Sequence, residues 1–225
     1  AADMPGLFIT FEGGEGTGKS TQVARLAERL SAQGGKVTVT REPGGTPAAE
    51  QLRGLLVSGE TGRWSATGEA LLNYAARDSH LNDLIRPALA KDHVVLCDRF
   101  MDSTRAYQGY AGGCSMALID ALEEGVVGAT RPDLTLVFDL DPEQGLLRAR
   151  KRGDSEDRYE RKGLDFHRRL RSGFLDILDR EPKHPRPICD GCAYPDRMAQ
   201  TAPVETERPV GDEDVVQDVP WIVIV

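Results

Sequence analysis

Residues 13–20, Gly13-Gly14-Glu15-Gly16-Thr17-Gly18-Lys19-Ser20, match the spacing G-x-x-x-x-G-K-[ST] without a mismatch. Each fixed position answers a chemical need. Glycines let successive backbone N–H groups converge on phosphate oxygens without Cβ interference, and a helix that opens directly afterwards adds the positive end of its dipole. Lys19 is expected to bridge the β- and γ-phosphates of a nucleoside triphosphate, and the Ser20 hydroxyl to coordinate Mg²⁺. The triphosphate site is therefore read as Gly13 to Ser20 with Thr21 at the start of the helix. Such a loop implies a bound nucleoside triphosphate, and by itself does not separate kinases from GTPases or motors.

Other residues could complete that chemistry. Asp98 ends the apolar run Val94-Val95-Leu96-Cys97, where a carboxylate would complete the magnesium shell. Arg77 precedes that run on a helix and Arg99 follows Asp98 directly. Bidentate guanidinium donors at these two positions suit a second phosphate, that of an acceptor. Arg148, Arg150, Lys151, Arg152 and Arg158 cluster between two helical stretches. They read as a basic lid, about residues 148–160, that closes over the triphosphate, neutralises charge during transfer and excludes water.

These residues need a scaffold. Residues 7–11, 36–40, 93–97 and 134–140 are short β-favouring runs, and the stretches around 21–30, 48–56, 68–90, 115–127, 142–152 and 163–178 show helical spacing. The 68–90 helix carries Pro87, which predicts a kink there. Strands alternating with helices predict an α/β fold of three layers, a mostly parallel central sheet of about five strands with helices on both faces. One phosphate-binding domain is expected over residues 1–185, followed by an atypical tail, 186–225, that is Pro-rich, then acidic, then apolar.

Composition sets outer limits. Forty per cent apolar and 28% charged residues give a globular chain with material for a core, and the net charge of −8 argues against a nucleic acid backbone as partner. No apolar run reaches the roughly 20 residues of a membrane helix. Four cysteines are too sparse for a disulfide scaffold, and with no apolar leader pattern they predict a reducing cytoplasm. Cys189 and Cys192 are spaced C-x₂-C without a second pair, so zinc is not expected.

Phe11-Glu12-Gly13 with the loop, Thr40-Arg41-Glu42-Pro43-Gly44-Gly45-Thr46, Tyr74-Ala75-Ala76-Arg77, Asp98-Arg99-Phe100 and Ser103 to Gly109 together resemble the bacterial thymidylate kinase family. Arg131 to Thr135 and Glu156 to Glu160 extend the match, which covers about residues 6–180. The resemblance implies transfer of the ATP γ-phosphate to dTMP with Mg²⁺, in a homodimer. Arg77 and Arg99 would bind the dTMP phosphate and Glu15 would approach the sugar 3′-hydroxyl. Ser103, Thr104 and Gln108 would face the thymine, Tyr107 would crowd the 2′ position, and Pro43 and Tyr74 would complete the acceptor site. With no arginine inside the loop, the chain resembles the members that supply the catalytic cation from the lid, preferably Arg150 and Arg152.

Two positions depart from the family pattern. Asn73 stands where members commonly carry an aromatic, and the tail does not match their closing strand and helix, although Ile188-Cys189-Asp190 resembles a remnant of that strand. The residues thus leave open another pyrimidine monophosphate kinase, or a P-loop nucleotide-binding protein with weakened catalysis. The N-K-x-D pattern of GTPases is absent.

Overall fold

The computed structural model describes residues 6–152, 157–180 and 221–224. Four parallel strands form its centre: β1 (Leu7–Gly13), β2 (Val37–Arg41), β3 (Val94–Asp98) and β4 (Leu134–Asp139). A fifth, β5 (Trp221–Ile224), pairs antiparallel with β4, and the order across the sheet is β2-β3-β1-β4-β5. The fifth place therefore falls to the apolar C-terminal run. Ile188-Cys189-Asp190, the expected remnant strand, lies outside the described residues.

The helices are α1 (Lys19–Ala32), α2 (Pro47–Val57), α3 (Ala66–His80), α4 (Arg86–Leu89), α5 (Met101–Thr104), α6 (Met116–Val126), α7 (Pro142–Arg152) and α8 (Leu164–Arg180). Side-chain alternation along the strands divides the core into two layers. Phe8, Val95 and Cys97 point toward α3 and α6, packing with Ala70, Tyr74 and Ile119. Ile9, Phe11, Val94 and Leu96 point the other way, against Val23, Leu26 and Leu30 of α1. Each such fully buried large side chain contributes roughly 1.5–3 kcal/mol.

Local sequence explains the helix starts. Thr46 accepts from the Ala49 amide with Pro47 at the first position, and Ser65 accepts from the Gly68 amide. The kink expected at Pro87 takes the form of a wide π-type turn, Leu81–Ile85, between α3 and α4. Proline has no N–H and its ring crowds the carbonyl four residues earlier, so the preceding turn loosens. A second wide turn, Arg105–Ala111, continues α5. No helix was expected there, because its polar residues serve the site and break the apolar period.

Candidate active site

Strand register brings the chemistry to one edge. Phe11, Arg41 and Asp98 are mutual partners across β1, β3 and β2. The residues just beyond them, Glu12, Glu42 and Arg99, therefore emerge side by side. Hydrogen bonds from the Glu42 amide to Asp98 O (2.9 Å) and from the Arg99 amide to Phe11 O (2.9 Å) fasten the three ends together.

The phosphate loop leaves β1 at Gly13, with positive φ at Gly13, Gly16 and Gly18. Gly18 caps α1 without a side-chain hydrogen bond, so the N–H groups of the first turn are left for an anion. Lys19 is buried and arches over the loop, its Nζ donating to Gly13 O (3.1 Å), Gly14 O (2.6 Å) and Thr17 Oγ1 (3.2 Å). Burial, helped by the nearby Arg99 cation, lowers its pKa to about 8 against the pull of Asp98 and Glu15. Thr21 is exposed on the first turn of α1. Ser20 Oγ donates to Asp98 Oδ2 at 2.5 Å, so a hydroxyl and a carboxylate meet at the loop mouth. Two hard oxygen donors beside a phosphate cradle have the chemistry to hold a magnesium ion.

Beside the loop opens a cleft of about 640 Å³ lined by Glu15, Pro43, Asn73, Arg77, Arg99, Ser103, Thr104, Tyr107 and Gln108, among others. Arg77 is 2% exposed. It donates from Nε to Glu42 Oε2 (2.8 Å) and from Nη2 to Phe100 O and Thr104 Oγ1 (both 3.0 Å). Its Nη1 is buried without a partner. A guanidinium so held, with one donor unspent at a cleft, is prepared for an anion. Burial opposes its charge, but Glu42 outweighs that and raises its pKa. Arg99, at φ +70, donates to Gly13 O (2.8 Å) and Glu15 Oε1 (3.2 Å), and its guanidinium lies 5.0 Å over the Tyr107 ring. The left-handed backbone at a bulky residue is strain located at the site.

Glu15 also accepts from the Tyr107 hydroxyl at 2.6 Å. Burial alone would raise its pKa; Arg99, Lys19 and Tyr107 overcome that and hold it at about 2. Ser103 donates to Glu12 Oε2 at 2.5 Å and Thr104 accepts from Arg77, so both hydroxyls serve the site's charged framework as well as lining the cleft.

Two expectations are corrected by position. Tyr74 does not line the cleft: it is 1% exposed, its ring stacked 4.6 Å from the Arg77 guanidinium on the core side. Helical geometry forces this, since Asn73, four residues before Arg77, takes the cleft-facing stripe and its neighbour must turn away. Arg158 is likewise no cation aimed at the phosphate loop. It is fully buried, donating to Leu56 O (2.9 Å), Glu60 O (3.0 Å), Thr61 O (3.0 Å) and Glu69 Oε1 (2.6 Å). Arg150 is exposed on α7; within the expected lid, about residues 148–160, residues 153–156 lie outside the described residues.

The structure also adds residues to which no role had been assigned. Glu42 pairs with Arg77 and accepts from His80 Nδ1 (3.0 Å), whose Nε2 meets Thr40 Oγ1 at 2.7 Å. A carboxylate only accepts, so Nδ1 carries the hydrogen. Buried Glu12 accepts from the Phe100 amide at 2.8 Å, and Glu69 gathers Arg158, Lys162, Gln108 and Tyr159. A sequence signal existed: Glu69, Asn73 and Arg77 recur every fourth residue, a polar stripe along one face of α3.

A phosphate cradle at the carboxyl edge of a parallel sheet, facing an arginine-lined cleft, defines a P-loop protein of the nucleoside monophosphate kinase class. A scan against protein-family models matches the family described as Thymidylate kinase over residues 11–185. The chain belongs to the thymidylate kinase family. It is 60% identical over 177 residues to the thymidylate kinase of Caulobacter vibrioides, covering 79% of this chain and 85% of that protein. It is 50% identical over 185 residues to that of Magnetococcus marinus, covering 82% and 88%. The crystal structure of thymidylate kinase from Ehrlichia chaffeensis superposes with a TM-score of 0.65 at 39% identity, covering 79% of this chain and 90% of that one.

Proposed function

We propose that this chain transfers the γ-phosphoryl group of ATP to dTMP, giving dTDP and ADP. The observation that carries the reading is the unspent donor of Arg77, which shares a cleft with Arg99 directly beside the Lys19 loop. In the reaction an oxygen of the acceptor 5′-phosphate attacks the γ-phosphorus as the bond to the β,γ-bridging oxygen breaks, and the electron pair leaves with ADP. Arg77 and Arg99 orient the attacking phosphate, and Lys19 with the loop amides holds the donor. Ser20 and Asp98 would hold Mg²⁺, which would supply charge neutralisation to the phosphates during transfer. Arg150 and Arg152, at the C-terminal end of α7, are the proposed source of the closing cation. Glu15, pinned by Arg99 and Tyr107, would meet the deoxyribose.

The domain is proposed to span residues 1–185, with its lid at 148–160. A homodimer is the proposed assembly: Leu71 is 49% exposed on α3, an apolar side chain available for pairing, and sedimentation of the pure protein tests it. A cytoplasmic location accords with the free, buried thiols of Cys97 and Cys114; among the described residues no helix is long and apolar enough to cross a membrane. The deciding experiment is ADP release from Mg-ATP against a panel of nucleoside monophosphates. Preference for dTMP is expected. Preference for another pyrimidine monophosphate supports the second reading, favoured by polar Asn73 in the cleft wall, and ADP release that no acceptor stimulates sinks both.

A further inference from the structure

We infer that Glu69 is a positioning residue for base specificity: it fixes the direction of the Gln108 side-chain amide, so that the cleft offers an acceptor to N3–H of a keto pyrimidine. The inference rests on the dTMP reading and deepens it. Glu69 is 1% exposed and Gln108 is 3% exposed. Gln108 Nε2 donates to Glu69 Oε2 at 2.9 Å and to the Tyr159 hydroxyl at 3.3 Å. The Tyr159 hydroxyl in turn donates to Glu69 Oε2 at 3.1 Å, which leaves its lone pair for Gln108. The amide nitrogen thus faces two acceptors, and a carboxylate cannot face an amide oxygen, so chemistry fixes which end of the amide points to Glu69. Among the described residues nothing donates to Gln108 Oε1, and Gln108 lines the acceptor cleft.

The other side of Glu69 explains why a carboxylate is needed. Oε1 accepts from Arg158 Nη2 (2.6 Å) and Lys162 Nζ (3.0 Å). Burial works against its charge, but Gln108, Lys162 and Arg158 together hold the carboxyl below its ordinary range, and it stays ionised. With both cations nearest one oxygen, Lys162 also reaching the other at 3.4 Å, and two neutral groups on that second oxygen, Glu69 satisfies four donors at once. Thymine and uracil carry a hydrogen on N3, whereas cytosine carries a lone pair there; an oxygen from Gln108 accepts from the first two and repels the third.

Glu69→Gln tests this, because an amide cannot serve both sides. Its oxygen must turn to Arg158 and Lys162, its NH₂ then faces Gln108, and Gln108 must reverse and point its own NH₂ into the cleft. The expected result is a fall in kcat/KM for dTMP of about 10- to 100-fold, with a smaller loss or a gain for dCMP. The dTMP/dCMP ratio drops at least about tenfold while dTMP/dUMP stays constant, since both share N3–H. A purely structural role would lower all three together, and an unchanged dTMP/dCMP ratio in the folded variant overturns the inference alone. A wild type inactive on dTMP overturns the functional reading with it. Where Glu69→Gln does not fold, ¹⁵N spectra of the wild type decide. The Gln108 carboxamide signals, identified by their loss in Gln108→Leu, are expected to exchange slowly and keep their shifts on adding dTMP. Large shifts of those NH₂ signals would show the donor side facing the base and refute the assignment.

Discussion

Arg77 and Glu15 show how single residues carry the site. Arg77 is held by three groups through two nitrogens, leaving Nη1 without a partner beside the cleft. Arg77→Lys keeps the charge and loses the fork, so KM for dTMP should rise about 10- to 100-fold, and stability should fall about 2 kcal/mol as Glu42 and Thr104 lose partners; steady-state kinetics and urea unfolding check both. Glu15 is held at about 2 from an ordinary 4.5. A depressed carboxyl stabilises the fold above its unfolded pKa and ceases to do so as pH falls through the folded one. Glu15→Gln should therefore be less stable than wild type by about 1–3 kcal/mol at pH 7, with the gap narrowing between pH 4.5 and 2 in unfolding experiments. A gap independent of pH would mean the carboxylate charge is not what matters. Lys19, Asp98 and Arg99 were legible from spacing alone, because the loop pattern and the strand-end position specify where they go. The fate of Tyr74 was not, since adjacent helical residues differ in direction by about 100°.

At the scale of elements, the meeting of α7 with the phosphate loop matters most. A Cβ on Gly145 would lie 2.4 Å from Glu15 O, and one on Gly16 would lie 2.1 Å from Gly145 O, so helix and loop touch backbone to backbone. Gly→Ala inside a helix ordinarily stabilises by about 0.5–1 kcal/mol. Gly145→Ala should instead destabilise by about 1–3 kcal/mol, because a main-chain oxygen cannot rotate away from the added carbon. Displacing α7 should also move the proposed lid that begins on it. KM for ATP should rise and kcat fall, while dTMP binding measured by calorimetry changes little; a stabilised, fully active variant would refute the contact. The four parallel strands and most helices were readable from hydrophobic period. The wide turn at Arg105–Ala111 was not, since its residues are chosen for the cleft and for Glu69.

For the whole molecule, the sheet's outer edge is the open question of construction. β5 pairs through Leu136↔Ile224 to Asp139↔Trp221, closing the side of β4 that β1 leaves open. Removing residues 221–225 should speed amide hydrogen exchange along β4 by about tenfold or more, with the β1–β3 amides less affected. The bared edge should also promote self-association. Unchanged exchange at Leu136 to Asp139 would show that the edge does not depend on β5.

Sequence by itself determined the triphosphate loop, the alternating α/β scaffold and the family. These depend on contiguous spacing and on short-range periodicity, which a linear chain displays. Only the tertiary structure decided that Arg158 belongs to a buried hub, that Tyr74 backs Arg77 and that the C-terminal run completes the sheet. The first and last join groups about 80 to 90 residues apart, Arg158 hydrogen-bonded to Glu69 and Trp221 in register with Asp139, while the second depends on which face of α3 meets the cleft. Which partner wins is set by register and packing, and neither is written in local spacing.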